Sequence, residues 1–216
     1  MKLFNIRNII IVILIIVGIK YYQTRAEATM DTLSLPLDTK VLAFGDSLTY
    51  GYGVSPTQSY PAILANLLHV KVVNEGISGE MSEQGLERLP AVLERVKPDI
   101  LILCHGANDI LRNRDLQKMQ ENLSQMVTLA QEKGIYVLLV GVPSYDILTF
   151  SVPSLYYDVA QSYGLEIEDK ALSTILNTEG LKSDQVHPNE QGYNMMALNI
   201  AKLLNDHYHP LAKTPN

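Results

Sequence analysis

From Lys40 onward, short apolar runs alternate with longer stretches in which apolar residues recur at helical spacing. Val41–Phe44 predicts a first strand, and Tyr60–Leu68 a helix opened by Pro61 near its first turn. Val70–Asn74 predicts a second strand. In the stretch 82–96, Leu86, Leu89, Val92, Leu93 and Val96 fall at helical spacing. Asp99–Cys104 is apolar after its first residue, as a strand buried on both faces of a sheet should be. Leu116–Lys133 predicts a long amphipathic helix ended by Gly134, and Ile135–Val142 a fourth strand. Leu155–Tyr163 predicts a helix closed by Gly164, Leu165–Ile167 a short fifth strand, and Glu190–Asn205 the closing helix. This alternation predicts an α/β domain, a mainly parallel sheet with helices on both faces. Ligands of such sheets sit beyond the carboxyl ends of the strands. Three polar clusters follow strand ends here: Gly45-Asp46-Ser47, the segment from Asn74 to Gly79, and the segment from Gly106 to Asp109.

The first 28 residues have a different character. Lys2 and Arg7 precede an unbroken apolar run from Ile9 to Ile19, and Ala26-Glu27-Ala28 supplies small residues for signal-peptidase cleavage. Residues 1–28 are therefore expected to be a signal peptide, or an N-terminal membrane anchor through residues 3–22 if cleavage does not occur. Either way the protein is expected to be exported by a bacterium, to the periplasm or beyond it. Without a cysteine near this run, a lipoprotein anchor is excluded. Residues 29–39, lacking periodicity and interrupted by Pro36, predict a linker; 40–206 form the expected folded domain and 207–216 a tail.

Charge and cysteine content narrow the function classes. The chain's net charge is −6, and because residues 1–28 hold four basic residues against Glu27 alone, the remainder stands at −9. An acidic body disfavours nucleic acid. The one cysteine, Cys104, excludes an intrachain disulfide and a cysteine-based zinc cluster, and its apolar setting predicts a buried thiol. No set of Asp, Glu, His and Cys has metal-ligand spacing, so neither metal nor other cofactor is implied.

The polar clusters carry the chemistry. A serine just after a strand and before a helix projects its hydroxyl over the sheet edge, where backbone N–H groups can face a developing oxyanion. Gly-Asp-Ser alone reads equally well as a helix cap. Further on, Ser183-Asp184-Gln185-Val186-His187-Pro188 sets an aspartate three residues before a histidine. That aspartate can turn back onto the imidazole and leave the other nitrogen for a serine, which needs such a base. Gly79 can bring its N–H close to a substrate, and Asn108 can offer an amide N–H.

Together these clusters resemble the SGNH/GDSL hydrolase family. Its four blocks occur in order: Gly45-Asp46-Ser47-Leu48, Asn74-x-Gly76-x-Ser78-Gly79, Gly106-x-Asn108-Asp109, and Asp184-x-x-His187, over essentially 40–205. The resemblance implies a three-layer α/β/α, flavodoxin-like fold with a mainly parallel five-stranded sheet. It also implies catalytic Ser47, Asp184 and His187, and an oxyanion hole from the Ser47 and Gly79 N–H groups and the Asn108 side chain. Gly-Asp-Ser-Leu-Thr-x-Gly-Tyr-Gly, with Tyr50 as x, together with Tyr60-Pro61-Ala62 and Asn108-Asp109-x-Leu111-Arg112, is similar to the branch of exported lysophospholipases, thioesterases and arylesterases. Two departures stand out: Cys104-His105 lies where this branch usually has Glu-Leu, and Ile110 replaces a usual glycine. A histidine ending a buried strand is more often a hydrogen-bonded core residue than a catalyst.

The expected activity is hydrolysis of acyl esters or thioesters of small molecules or lipids. A deacetylase of cell-envelope sugars and a non-catalytic envelope binding protein are the alternatives. The segment 143–156, rich in apolar residues yet following a strand end, is expected to pack on the core or to line the substrate groove, with Ile147, Leu148 and Phe150 as binding residues.

Overall fold

The computed structural model describes residues 35–146 and 148–210. The expected export segment falls outside these residues, as does the linker up to residue 34. Leu35 and Thr39 are buried, so the end of that linker packs with the domain. No helix among the described residues is long and apolar enough to cross a membrane.

Five parallel strands form the central sheet: β1 (Lys40–Gly45), β2 (Lys71–Gly76), β3 (Ile100–Cys104), β4 (Tyr136–Val140) and β7 (Glu166–Glu168). Their order is β2-β1-β3-β4-β7, the doubly wound flavodoxin-like arrangement. Val41–Phe44 of β1 and every residue of β3 are fully buried, because helices cover both faces. Helix α8 (Glu190–His207) packs with both α2 (Tyr60–Leu68) and α7 (Ala171–Leu176), and α5 (Leu116–Gln131) with both α3 (Ser82–Val96) and α6 (Ser154–Tyr163). Two shorter helices, α1 (Ser47–Tyr50) and α4 (Ala107–Leu111), start directly after β1 and β3. Between these two strands the winding reverses direction, and a crevice opens there at the carboxyl edge.

Most elements lie within two residues of expectation, with α2 and α3 matching at both ends. The fifth strand is Glu166–Glu168 rather than Leu165–Ile167, and the closing helix extends to His207. Segment 143–156 opens with regular structure. It folds into an antiparallel hairpin of β5 (Ser144–Asp146) and β6 (Thr149–Ser151). Asn177, at the end of α7, acts as a partner strand for that hairpin: its Oδ1 accepts from the Phe150 N–H at 3.0 Å, and its Nδ2 donates to the Phe150 carbonyl at 2.9 Å.

Candidate active site

Ser47 occupies the first position of α1, where the N–H groups of an opening helix turn lack intrahelical partners. Gly45 allows this turn because a Cβ there would come within 1.9 Å of the Cys104 carbonyl oxygen. Asp46 caps the helix, its carboxylate accepting from the Leu48 N–H at 3.1 Å and from the Ala107 N–H at 3.2 Å. The residue before Ser47 is thereby tied to the residue before Asn108. Burial pushes the Asp46 carboxyl above its usual range, against the pull of these two N–H groups.

Residues 140 positions apart in sequence meet at Ser47. His187 Nε2 lies 3.0 Å from Ser47 Oγ, and His187 Nδ1 lies 2.8 Å from Asp184 Oδ2. The Asp184 carboxylate folds back on its own loop and also accepts the N–H groups of Val186 and His187, each at 2.9 Å. Partial burial raises the Asp184 carboxyl, but these N–H groups and the imidazole outweigh it and hold the group below the ordinary aspartate value. The loop is closed by the Ser183 N–H donating to the His187 carbonyl at 2.9 Å. Tyr52 packs its ring 4.5 Å from the imidazole, while its carbonyl accepts from the Tyr193 hydroxyl at 3.2 Å. The arrangement is competent for nucleophilic attack: hydroxyl, imidazole and carboxylate form one hydrogen-bonded series.

Gly79 sits in a turn in which the Glu80 N–H donates to the Ile77 carbonyl at 3.2 Å. Its φ of 82° is left-handed, and a Cβ there would meet nothing closer than Arg112 Nη2 at 3.7 Å. Conformation rather than crowding calls for glycine at this position. Asn108 is buried, and its Nδ2 donates to the Glu80 carbonyl at 3.0 Å. An amide nitrogen carries two hydrogens, so one is left for a ligand. Asn74, whose Nδ2 donates to the Thr49 carbonyl at 3.0 Å, braces the end of β2 against α1.

Beside the serine lies a mainly apolar groove of about 390 Å³ whose lining includes Leu48, Ile110, Val142, Tyr145, Phe150 and Val186, and the side chain of Lys182. Tyr145 and Phe150 face each other across the hairpin with ring centres 5.1 Å apart and planes tilted by 58°. Of the three residues expected to bind substrate, Phe150 lines the groove. Leu148 is 91 % exposed at the hairpin turn and forms no part of its wall, because the hairpin points that position outward. Ile147 lies outside the described residues. Among the described residues, no three metal-ligating side chains converge.

The family model for GDSL-like lipases and acylhydrolases matches residues 43–195. The chain belongs to this family. Among its relatives is the esterase TesA of Pseudomonas aeruginosa, 33 % identical over 68 % of this chain and 79 % of that one. An arylesterase of Vibrio mimicus is 29 % identical over 78 % of this chain and 89 % of its own. A crystal structure of the psychrotrophic esterase EstA from a Pseudoalteromonas species, inhibited by monoethylphosphonate, aligns with a TM-score of 0.68. It is 26 % identical and covers 78 % of this chain and all of that one. As a GDSL-family member the protein is a carboxylic ester hydrolase, which removes the non-catalytic binding protein from the alternatives.

The sequence singled out Ser47, Gly79, Asn108, Asp184 and His187, and the fold gathers all five at the crevice beyond β1 and β3. Sequence reasoning missed Glu80 and Arg88. Glu80 is next to Gly79 but reads there as a solvated charge in a turn; in the structure it is buried.

Proposed function

We propose that the protein hydrolyses esters of medium-length acyl chains with Ser47 as nucleophile, His187 as general base and then acid, and Asp184 as the group that orients His187. Ser47 Oγ attacks the ester carbonyl carbon while His187 Nε2 takes its proton. The resulting oxyanion is held by the N–H groups of Ser47 and Gly79 and by Asn108 Nδ2. As the tetrahedral intermediate collapses, the imidazolium returns the proton to the departing alcohol or thiol and an acyl-serine remains. Water, deprotonated by the same imidazole, then releases the acid and restores the serine. Asp184 stays ionised throughout and holds the proton of His187 on Nδ1.

The carrying observation is the Ser47–His187–Asp184 series, with spacings of 3.0 and 2.8 Å, beside an apolar groove lined by their chain neighbours Leu48 and Val186. The lining supports an acyl chain over a sugar acetate, for which the expected acceptor would be a polar cleft. The basic start, apolar run and Ala26-Glu27-Ala28 support export of this activity across the bacterial inner membrane. An active-site-directed fluorophosphonate should label wild-type protein at Ser47 and leave Ser47→Ala unlabelled. Near-normal esterase activity in pure Ser47→Ala would overturn the assignment.

A further inference from the structure

Glu80 is tied at three points. Its N–H closes the turn that presents the Gly79 N–H, and its carbonyl accepts from Asn108 Nδ2 at 3.0 Å. Its carboxylate is gripped by two side chains from other elements. Arg88 of α3 donates from Nε and Nη2 to the two oxygens, each at 2.6 Å. His105, fully buried at the end of β3, lies with Nε2 3.1 Å from Oε2. The Gly106 N–H donates to His105 Nδ1 at 3.0 Å, so that nitrogen is the acceptor and Nε2 carries the proton that reaches Glu80. Arg88 is itself fixed, its guanidinium 3.9 Å over the Phe44 ring and Nη2 donating to the Glu75 carbonyl at 2.9 Å. Helix α3 makes room for the imidazole with Gly85, where a Cβ would stand 2.4 Å from His105 Nε2. Glycine inside a helix costs about 1 kcal/mol relative to alanine. Packing against His105 is a physical reason to keep it.

We propose that His105 and Arg88, by clamping the Glu80 side chain, act as positioning residues for the oxyanion hole, setting Asn108 Nδ2 through the Glu80 carbonyl and the Gly79 N–H through its turn. The inference rests on the oxyanion role given to Asn108 above. A donor feels the transition state only if it is aimed before the charge develops, and displacements of about 1 Å from distant substitutions can cost on the order of 10² in rate. Losing the clamp therefore acts on kcat and leaves KM nearly alone.

The test is a double-mutant cycle on a p-nitrophenyl ester. Asn108→Ala should lower kcat by on the order of 10²–10³. His105→Leu should lower kcat roughly tenfold with KM within about twofold, since it misaims the donor rather than removing it. His105→Gln, which keeps a donor toward Glu80, should recover most of that loss. Gly85→Ala, which pushes on the imidazole, should lower kcat although it favours the helix. In the Asn108→Ala background, His105→Leu should cost distinctly less than in wild type, because of the two donors it aims only the Gly79 N–H remains. Equal losses by His105→Leu in the two backgrounds, or an unchanged kcat in His105→Leu beside a large loss in Asn108→Ala, would overturn the positioning role alone. An unchanged kcat in Asn108→Ala would instead remove the oxyanion reading on which it rests. If His105→Leu does not fold, Glu80→Gln replaces it in the same two backgrounds, and a loss of equal size in both again overturns the positioning role.

Discussion

Shortening one wall of the groove tests the substrate class most directly. Phe150 lies against Tyr145 across the β5–β6 hairpin and faces the groove with Leu48, Ile110 and Val142. A fully buried methylene is worth about 0.8 kcal/mol, and in a groove open on one side about 0.5 kcal/mol is the reasonable share. Octanoate has six more methylenes than acetate, so the intact groove should favour it by about 3 kcal/mol, on the order of 10²-fold in kcat/KM. Phe150→Ala uncovers about half of those methylenes on one side. The preference should fall by about 1–1.5 kcal/mol, roughly tenfold, while the acetate ester keeps its rate within about twofold. The assay is kcat/KM on p-nitrophenyl acetate, butanoate, hexanoate and octanoate, with Leu148→Ala as an exposed hairpin control that should leave the series unchanged. Equal proportional losses on acetate and octanoate, with a lower melting temperature, would refute the argument and make Phe150 a packing residue only.

The other expectations concern the triad, acid stability and export. Ser47→Ala and His187→Ala should each lower kcat by on the order of 10⁴ or more with an unchanged melting temperature; near-normal kcat in pure His187→Ala protein would contradict the base role. For Glu80, burial raises the carboxyl, but the hydrogen bonds from His105 and Arg88 and the Arg88 charge outweigh it and leave it below the usual value of 4.5. The stability it contributes is present above that value and lost as pH falls through the folded-state value, so wild type should lose more of its urea midpoint than Glu80→Gln does as the pH is taken below the usual value; parallel declines would show that the clamp stabilises nothing. Mass spectrometry of the exported protein should find a start near Thr29, whereas full-length protein in the cytosol would refute export.

The sheet was legible because β1, β3 and β4 are buried on both faces and therefore read as apolar runs, and α2 and α3 because their apolar stripes are long. The hairpin was not. Its strands are three residues each, and the groups that satisfy Phe150 belong to Asn177, 27 positions away. The site was legible where chemistry demands a residue type: a hydroxyl, an imidazole and a carboxylate are hard to replace. Leu148 failed because apolar content cannot say which side of a two-stranded turn faces the groove. Glu80 was hidden for a different reason. Its significance lies in partners 8 and 25 positions away, one on a helix and one at a strand end, that only the folded chain brings around it. His105 carried a signal as a polar residue ending an apolar strand, but nothing in the sequence named its partner.

Asp46 presents the same question within a family block, since any aspartate before a helix reads first as a cap. It is fully buried and accepts from both the Leu48 and Ala107 N–H groups, so it links the opening turns of α1 and α4, which carry Ser47 and Asn108. Asparagine keeps one acceptor and turns an NH₂ toward the other N–H. A buried donor left unpaired costs about 1–3 kcal/mol, and the urea midpoint of Asp46→Asn should fall accordingly. A simple cap would show only that loss. A link between the two blocks predicts in addition that kcat drops roughly tenfold at a temperature where the variant is fully folded, with KM little changed, because nucleophile and amide donor lose their common anchor. Asp115 provides the contrast: it caps α5 by accepting from the Gln117 N–H at 2.9 Å, is exposed, and touches neither block. Asp115→Asn should cost little stability and no activity. If Asp46→Asn is destabilised but keeps its full kcat, Asp46 is a cap like Asp115, and the spacing of serine and asparagine is set by the strands alone.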